Sequence, residues 1–198
     1  MNDFLPYVMP ITRRSGDERS FAGTAFCVDD YLITAGHVID RTMTYYVRNG
    51  STYHELRHDL WIPAQLPDFD RYGFDVAIYP IPGLKSPLRL ADEDTEPDTS
   101  LNVACWQIIH RRSLQRVNTQ CLVLRDDESD GYRRIATVDR ITHGASGCPV
   151  FDDDGNVYGL LSMGRDHVDD QGLHPLKRAL EQNTCWIFTT SHIRRFLP

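Results

Sequence analysis

A histidine, an aspartate and a serine, each in a context that would hold it still, are the residues of this chain with the clearest chemical potential. Ser146 lies in Thr142-His143-Gly144-Ala145-Ser146-Gly147-Cys148-Pro149-Val150. The glycines on either side let the backbone turn sharply and approach a ligand with no Cβ in the way. Such a turn can present the Ser146 hydroxyl as a nucleophile. It can also aim the N–H groups of Gly144 and Ser146 at one point, an oxyanion hole. His37 follows the apolar run Leu32-Ile33-Thr34-Ala35-Gly36, which reads as a buried strand delivering the ring to a fixed place. Asp75 opens the apolar run Val76-Ala77-Ile78-Tyr79, where it is poised for burial. A buried carboxylate is costly unless hydrogen-bonded, so a partner is expected. Base, orienting acid and nucleophile thus occur in the order His37, Asp75, Ser146, the set that nucleophilic acyl transfer needs. Singly, these would pass as a core histidine, a turn aspartate and a turn serine. Their joint occurrence in these contexts carries the reading.

On these motifs the chain resembles the trypsin-like (chymotrypsin-fold) serine proteases, in particular their short, disulfide-free bacterial members. The similarity runs from Gly23-Thr24-Ala25-Phe26 through Thr34-Ala35-Gly36-His37-Val38 and Asp75-Val76-Ala77-Ile78 to the Ser146 loop, and on through Gly155 to Gly164. The resemblance implies an all-β fold of two six-stranded antiparallel barrels with the three residues in the crevice between them. It implies His37 as general base, Asp75 as the residue that orients it and Ser146 as nucleophile. It also implies a protein or peptide substrate, and a setting such as a bacterial conflict or defence system in which a signal releases cleavage of one partner. The residues themselves carry no trace of that setting or of a regulatory partner. The competing class is a protease-like scaffold that binds a peptide without turning it over. An α/β-hydrolase is disfavoured: its chain order is Ser, Asp, His, and its elbow wants glycine where Cys148 stands.

Departures from the family are informative. Secreted members carry an aspartate just before the nucleophile, to pair with a new N-terminus after zymogen cleavage; Ala145 stands there and cannot. Arg140 occupies the position, six residues before Ser146, where enzymes that cut after Lys or Arg place an aspartate. Trp186 stands where relatives have a pocket glycine, and Ser162-Met163-Gly164 matches the segment that pairs with substrate backbone. Arg140, Thr142, His143, Ser162, Met163, Gly164 and Trp186 are therefore the candidate substrate-binding residues. Leu161 and Met163 give the pocket an apolar aspect, and together these features imply cleavage after small or medium apolar side chains, with an acidic side chain drawn by Arg140 as the second choice.

The elements that must position these groups read as strands. Short runs rich in Val, Ile, Tyr and Thr are separated by turn dipeptides at Asp29-Asp30, Asn49-Gly50, Asp130-Gly131 and Asp154-Gly155. The N-terminal barrel is expected over residues 1–90 and the C-terminal one over 98–198. Leu84 to Ser100 connects them, and helices are expected at His174 to Gln182 and His192 to Leu197. His54-Glu55-Leu56-Arg57-His58 matches H-E-x-x-H, but that zinc site needs a helix. On a strand the two histidines would stand about 13 Å apart, so neither a metal nor any other cofactor is expected.

Charged residues make up 25% of the 198-residue chain, mean hydropathy is −0.41, and no apolar run approaches a membrane span. The formal charge of −7 argues against nucleic acid as the main partner. MNDFLPYVMPITRR shows no secretory pattern. The five cysteines are odd in number and mostly sit in apolar runs, and Val38 follows His37 where secreted relatives bridge the loop. A cytoplasmic protein without structural disulfides is the expectation.

Overall fold

The β-branched and aromatic runs do form strands. The computed structural model describes residues 3–15, 18–40, 42–49, 52–62, 75–109, 113–125, 131–164 and 184–197. In the N-terminal half, β1 (Val8–Ser15), β2 (Glu18–Val28), β3 (Tyr31–Thr34), β4 (Thr44–Asn49), β5 (Thr52–Leu56) and β6 (Ala77–Pro80) build one sheet. Their spatial order is β5-β4-β1-β2-β3-β6. The chain beyond β5 returns to the far edge through a bridge between Ile62 and Ile78, which curls the sheet toward a barrel.

The second sheet contains β7 (Arg89–Leu90), β8 (Ser100–Ile109), β9 (Ser113–Val123), β10 (Tyr132–Thr137), β11 (Pro149–Phe151), β12 (Asn156–Gly164) and β13 (Thr184–Thr189). Their order is β11-β8-β9-β10-β13-β12-β7, and an additional β11–β12 pairing closes six of them into a ring. A closed ring leaves no unpaired edge, and the remaining strand, β7, is added outside it. β7 pairs in parallel with the start of β12, with Asn156 opposite Arg89. The segment Leu84 to Ser100 is thus more than a connection: part of it belongs to the second sheet.

Among the described residues two apolar clusters form the interior. One occupies the N-terminal sheet's interior and spreads onto the outer face of the second barrel, through Tyr132, Phe151, Leu160 and Phe188. The other lies inside the closed barrel, where Val103, Val123, Ile135 and Ile187 pack around Cys105, Cys121, Cys148 and Cys185. All five cysteines are free thiols and buried. Burial pushes the thiols of Cys27 and Cys121 up to about 12. Cys148, in contact with Cys105, is raised well above the ordinary thiol range by its burial. These sulfurs behave as small apolar groups.

Local expectations fare unevenly. Asp29 takes the left-handed conformation (φ 49°) in the β2–β3 turn, and Gly131 and Gly155 do so in two others. The β4–β5 hairpin forms, but Asn49 pairs with Thr52, so Asn49 ends its strand and the loop is residues 50–51, outside the described residues. Helix α1 spans Thr190–Arg194 and begins earlier than the expected His192. The backbone N–H of Ser191 donates to Asp94, and that carboxylate anchors the helix start to the inter-barrel segment. The helix expected at His174 to Gln182 lies outside the described residues.

Candidate active site

β3 ends at Thr34, and a single 3-10 turn, Gly36–Val38, carries His37 off its end. Asp75 stands two residues before β6, which pairs with β3 so that Thr34 faces Ala77. Neighbouring strand ends therefore bring the two residues together. His37 Nδ1 lies 2.8 Å from Asp75 Oδ2, and the His37 backbone N–H donates to Asp75 Oδ1 at 2.8 Å. A carboxylate only accepts, so Nδ1 carries the ring proton and, in the neutral ring, Nε2 is left as the acceptor. Asp75 is fully buried, while the His37 side chain remains 38% exposed. The acid is sequestered and the base reaches solvent. A third donor, the Ser162 hydroxyl on β12 of the other barrel, also bonds Asp75 Oδ2. Three charge-assisted bonds offset the desolvation of this carboxylate.

Ser146 is presented by the loop that leads into β11. Its carbonyl accepts the Thr24 backbone N–H at 2.9 Å. The Thr24 hydroxyl donates to the Gly144 carbonyl at 2.8 Å and accepts the Trp106 N–H at 2.9 Å. Thr24 on β2 thereby pins the serine loop of one barrel to the other. Gly147 completes the fit, with φ +84°, a conformation that L side chains rarely adopt. A Cβ there would stand 2.2 Å from Thr34 Oγ1 and 2.3 Å from the Thr24 carbonyl. That close approach seats the serine loop against the strand end that carries His37. Gly144 has φ +100°, and a Cβ on it would meet Phe21 at 2.0 Å.

Within the loop the amides alternate in use. The N–H of Ala145 bonds the Thr142 carbonyl at 3.3 Å, and that of Gly147 bonds the Leu161 carbonyl at 2.7 Å. Among the described residues, no backbone carbonyl takes the N–H of Gly144 or of Ser146. These are the two donors assigned to an oxyanion from the sequence.

The candidate recognition residues are held less firmly. Arg140 and His143 are exposed. Thr142 is tied down: its N–H and its hydroxyl reach Gln107 Oε1 at 2.8 and 3.1 Å. Ser162 has no exposed surface, so its side chain is not offered to a ligand. Met163 pairs with Trp186, and Trp186 also pairs with Arg134 on the other side. Trp186 packs with the outer cluster, not inside the closed barrel, and the Arg134 guanidinium lies 5.6 Å from its ring centroid. Leu161, expected to give the pocket an apolar aspect, is instead enclosed in the barrel interior, because inward and outward positions alternate along β12. Ala145 is fully buried there too. A concavity of about 360 Å³ lined by Met9, Val47, Leu56, Tyr79 and Leu84 lies on the N-terminal barrel, and neither His37 nor Ser146 contributes to it.

His54 and Glu55 stand on β5, but the strand stops at Leu56 and His58 opens a 3-10 turn. The pentapeptide is thus neither a helix nor one continuous strand. Among the described residues, no group of three or more His, Cys, Asp or Glu is placed to hold a metal ion. None of their helices is long and apolar enough to cross a membrane. Thr24 and Gln107 are site-supporting residues that the motifs do not single out. Thr24 lay in a quoted motif, but nothing in the sequence tells a strand threonine with a long-range partner from one without.

A family model described as a trypsin-like peptidase domain matches residues 23–160, a span that includes His37, Asp75 and Ser146. No curated protein sequence matches the chain significantly. Among solved structures, the active form of the Rv3671c protease from M. tuberculosis is 18% identical, with a TM-score of 0.64 over 98% of this chain and 80% of that one. Kallikrein-related peptidase 10 in complex with Zn2+ is 16% identical, with a TM-score of 0.60 over 98% and 95% of the two chains. The tobacco vein mottling virus protease is 11% identical, with a TM-score of 0.62 over 95% and 78%. At such identities the likeness is one of fold: two β-barrels in the chymotrypsin-like arrangement.

Proposed function

The chain belongs to the family of trypsin-like peptidase domains, and from that membership we propose that it is a serine endopeptidase working through an acyl-enzyme. Ser146 attacks the substrate carbonyl while His37 Nε2 takes the hydroxyl proton. The Gly144 and Ser146 amides stabilise the developing oxyanion. The imidazolium then protonates the leaving amine, the peptide C–N bond breaks, and the acyl group stays on Ser146 as an ester. Water, deprotonated by the same ring, repeats the cycle and releases the acid. Asp75 fixes the ring's tautomer and orientation throughout and stabilises its charged form.

One observation carries this reading: a fully buried carboxylate grips both the ring Nδ1 and the backbone N–H of a half-exposed histidine. A core histidine would have no need of that asymmetry. The reading extends to control, location and specificity. Ala145, buried and uncharged, cannot make a zymogen-type ion pair at that position, which favours activity that is present on synthesis or is governed by a partner protein or by the ordering of a loop. An intracellular setting is supported by five thiols placed inside the cores. Membership of a bacterial conflict system is the context that best suits a small enzyme held in check by a partner. The substrate is a protein cut after a small or medium apolar residue, with Trp186 limiting the depth available.

A serine-reactive fluorophosphonate tests the assignment. The protein is expected to label at Ser146, one probe per chain, with loss of labelling and of peptide hydrolysis in Ser146→Ala. Undiminished hydrolysis by purified, folded Ser146→Ala would remove the serine protease reading. A folded protein that binds peptide but neither labels nor cleaves would be a silent binding module.

A further inference from the structure

The Asp75 carboxylate has a neighbour that the proposed mechanism leaves unused. Tyr132, the first residue of β10, is buried on the outer face of the closed barrel. It pairs with Phe188, and their ring centroids are 5.2 Å apart. Its phenol is hydrogen-bonded to the Ser162 side chain and to the Asp75 backbone. Three groups from three separated segments therefore converge: Asp75 before β6, Ser162 on β12 and Tyr132 on β10.

Proton counting fixes how they are wired. Ser162 has one hydroxyl proton and gives it to Asp75 Oδ2. Its oxygen can then only accept from Tyr132, whose single phenolic proton must point at Ser162 Oγ. The phenol oxygen is left to accept from the Asp75 backbone N–H. The hydrogen-bonded chain runs Tyr132 to Ser162 to Asp75 to His37. Burial, and next the Asp75 charge, push the phenol up to about 12, so it keeps its proton across the working range of a protease. It is a permanent donor.

We infer that Tyr132 is a positioning residue for the proposed hydrolysis: through Ser162 it fixes the orientation of Asp75 and hence of the His37 ring. The phenol touches neither substrate nor the reacting atoms. Its part is to polarise and aim the Ser162 hydroxyl and to hold the Asp75 main chain by a second bond. A tyrosine that merely filled space on Phe188 would need only its ring. This inference rests on the serine protease reading.

Tyr132→Phe keeps the ring and removes the wiring. The expected result is a roughly 10- to 100-fold fall in kcat, the scale of a catalytic group displaced by about an ångström, with KM unchanged. The downfield proton resonance of His37 Nδ1 should move upfield or broaden. In a double-mutant cycle, Tyr132→Phe should cost little on top of Ser162→Ala, since the phenol acts through that hydroxyl. Tyr132→Met repeats the cycle with a second apolar filling, should the phenyl ring fold poorly. Unchanged kcat and an unmoved His37 resonance in folded Tyr132→Phe, with Ser146→Ala inactive, would overturn the inference and leave the protease reading standing. So would losses that simply add in the double mutant. If instead Ser146→Ala hydrolyses peptide normally, the underlying reading fails first, and the two failures are thereby told apart.

Discussion

The two sides of the site are built to different standards. On the acid–base side, Asp75, Ser162 and Tyr132 are buried and bonded to one another from both barrels, and only the His37 ring emerges. On the side proposed for recognition, Arg140 and His143 sit exposed in a loop, and Trp186 lies on an outer strand face under an arginine. The first side resembles a protein interior, where a displacement of one group is felt by all. The second resembles a surface, where residues are exchanged at little cost. On the proposed reading, turnover and specificity are therefore separable properties of this molecule. Changes on one side should be large and shared, and changes on the other small and selective.

Substitutions can break or sharpen that contrast. The largest effect is expected from Ser146→Ala, a fall in turnover on the order of a million-fold with the melting temperature preserved. Asp75→Asn should follow at about 10⁴-fold, because the amide no longer demands the Nδ1–H tautomer; the pH–rate profile of the residual activity checks this. Gly147→Ala should attack the same side through the backbone. A left-handed φ and contacts near 2.2 Å predict a loss of about 2–5 kcal/mol in stability, read by denaturant titration, with activity lost alongside. A well-behaved, active Gly147→Ala protein would show that the serine loop is not seated as described. Crossing to the recognition side, Trp186→Gly should leave hydrolysis of a good substrate within about ten-fold, the scale of a changed pocket contact, and admit larger side chains. The smallest effect should come from Arg140→Ala, within about 0.5 kcal/mol in stability because the residue is exposed. A peptide library scanned at the cleavage position decides its role. Enrichment of Asp or Glu would make Arg140 a specificity residue, whereas enrichment of Lys or Arg would defeat the pocket argument.

The candidate site was legible in the sequence because its residues are set by local context. A strand end before His37, an apolar run after Asp75 and glycines around Ser146 are all local patterns, and the strand pairing β3–β6 joins the first two. The contacts made between barrels were not legible. Nothing near Thr24 or Tyr132 announces a partner scores of residues away, because a strand threonine or tyrosine is unremarkable until the fold chooses its neighbour. The same blindness misassigned Leu161, where the inward face could not be told from the outward one beside the β-bulge in β12. It also hid β7, whose two residues are too few for any periodicity to show. Asn49-Gly50 signalled the correct hairpin while the register moved the loop by one residue.

The bonds from Thr24 to the serine loop and from Ser162 to Asp75 join residues far apart along the chain. Such pairings are among the slowest to form when a polypeptide folds. During synthesis the His37 half emerges first, yet its aspartate lacks one of its three donors until β12 arrives, and the Ser146 loop has nothing to lean on until both sheets exist. On the proposed reading, catalytic competence would appear only when the last long-range pairing closes, and the onset of cleavage would mark the completion of folding.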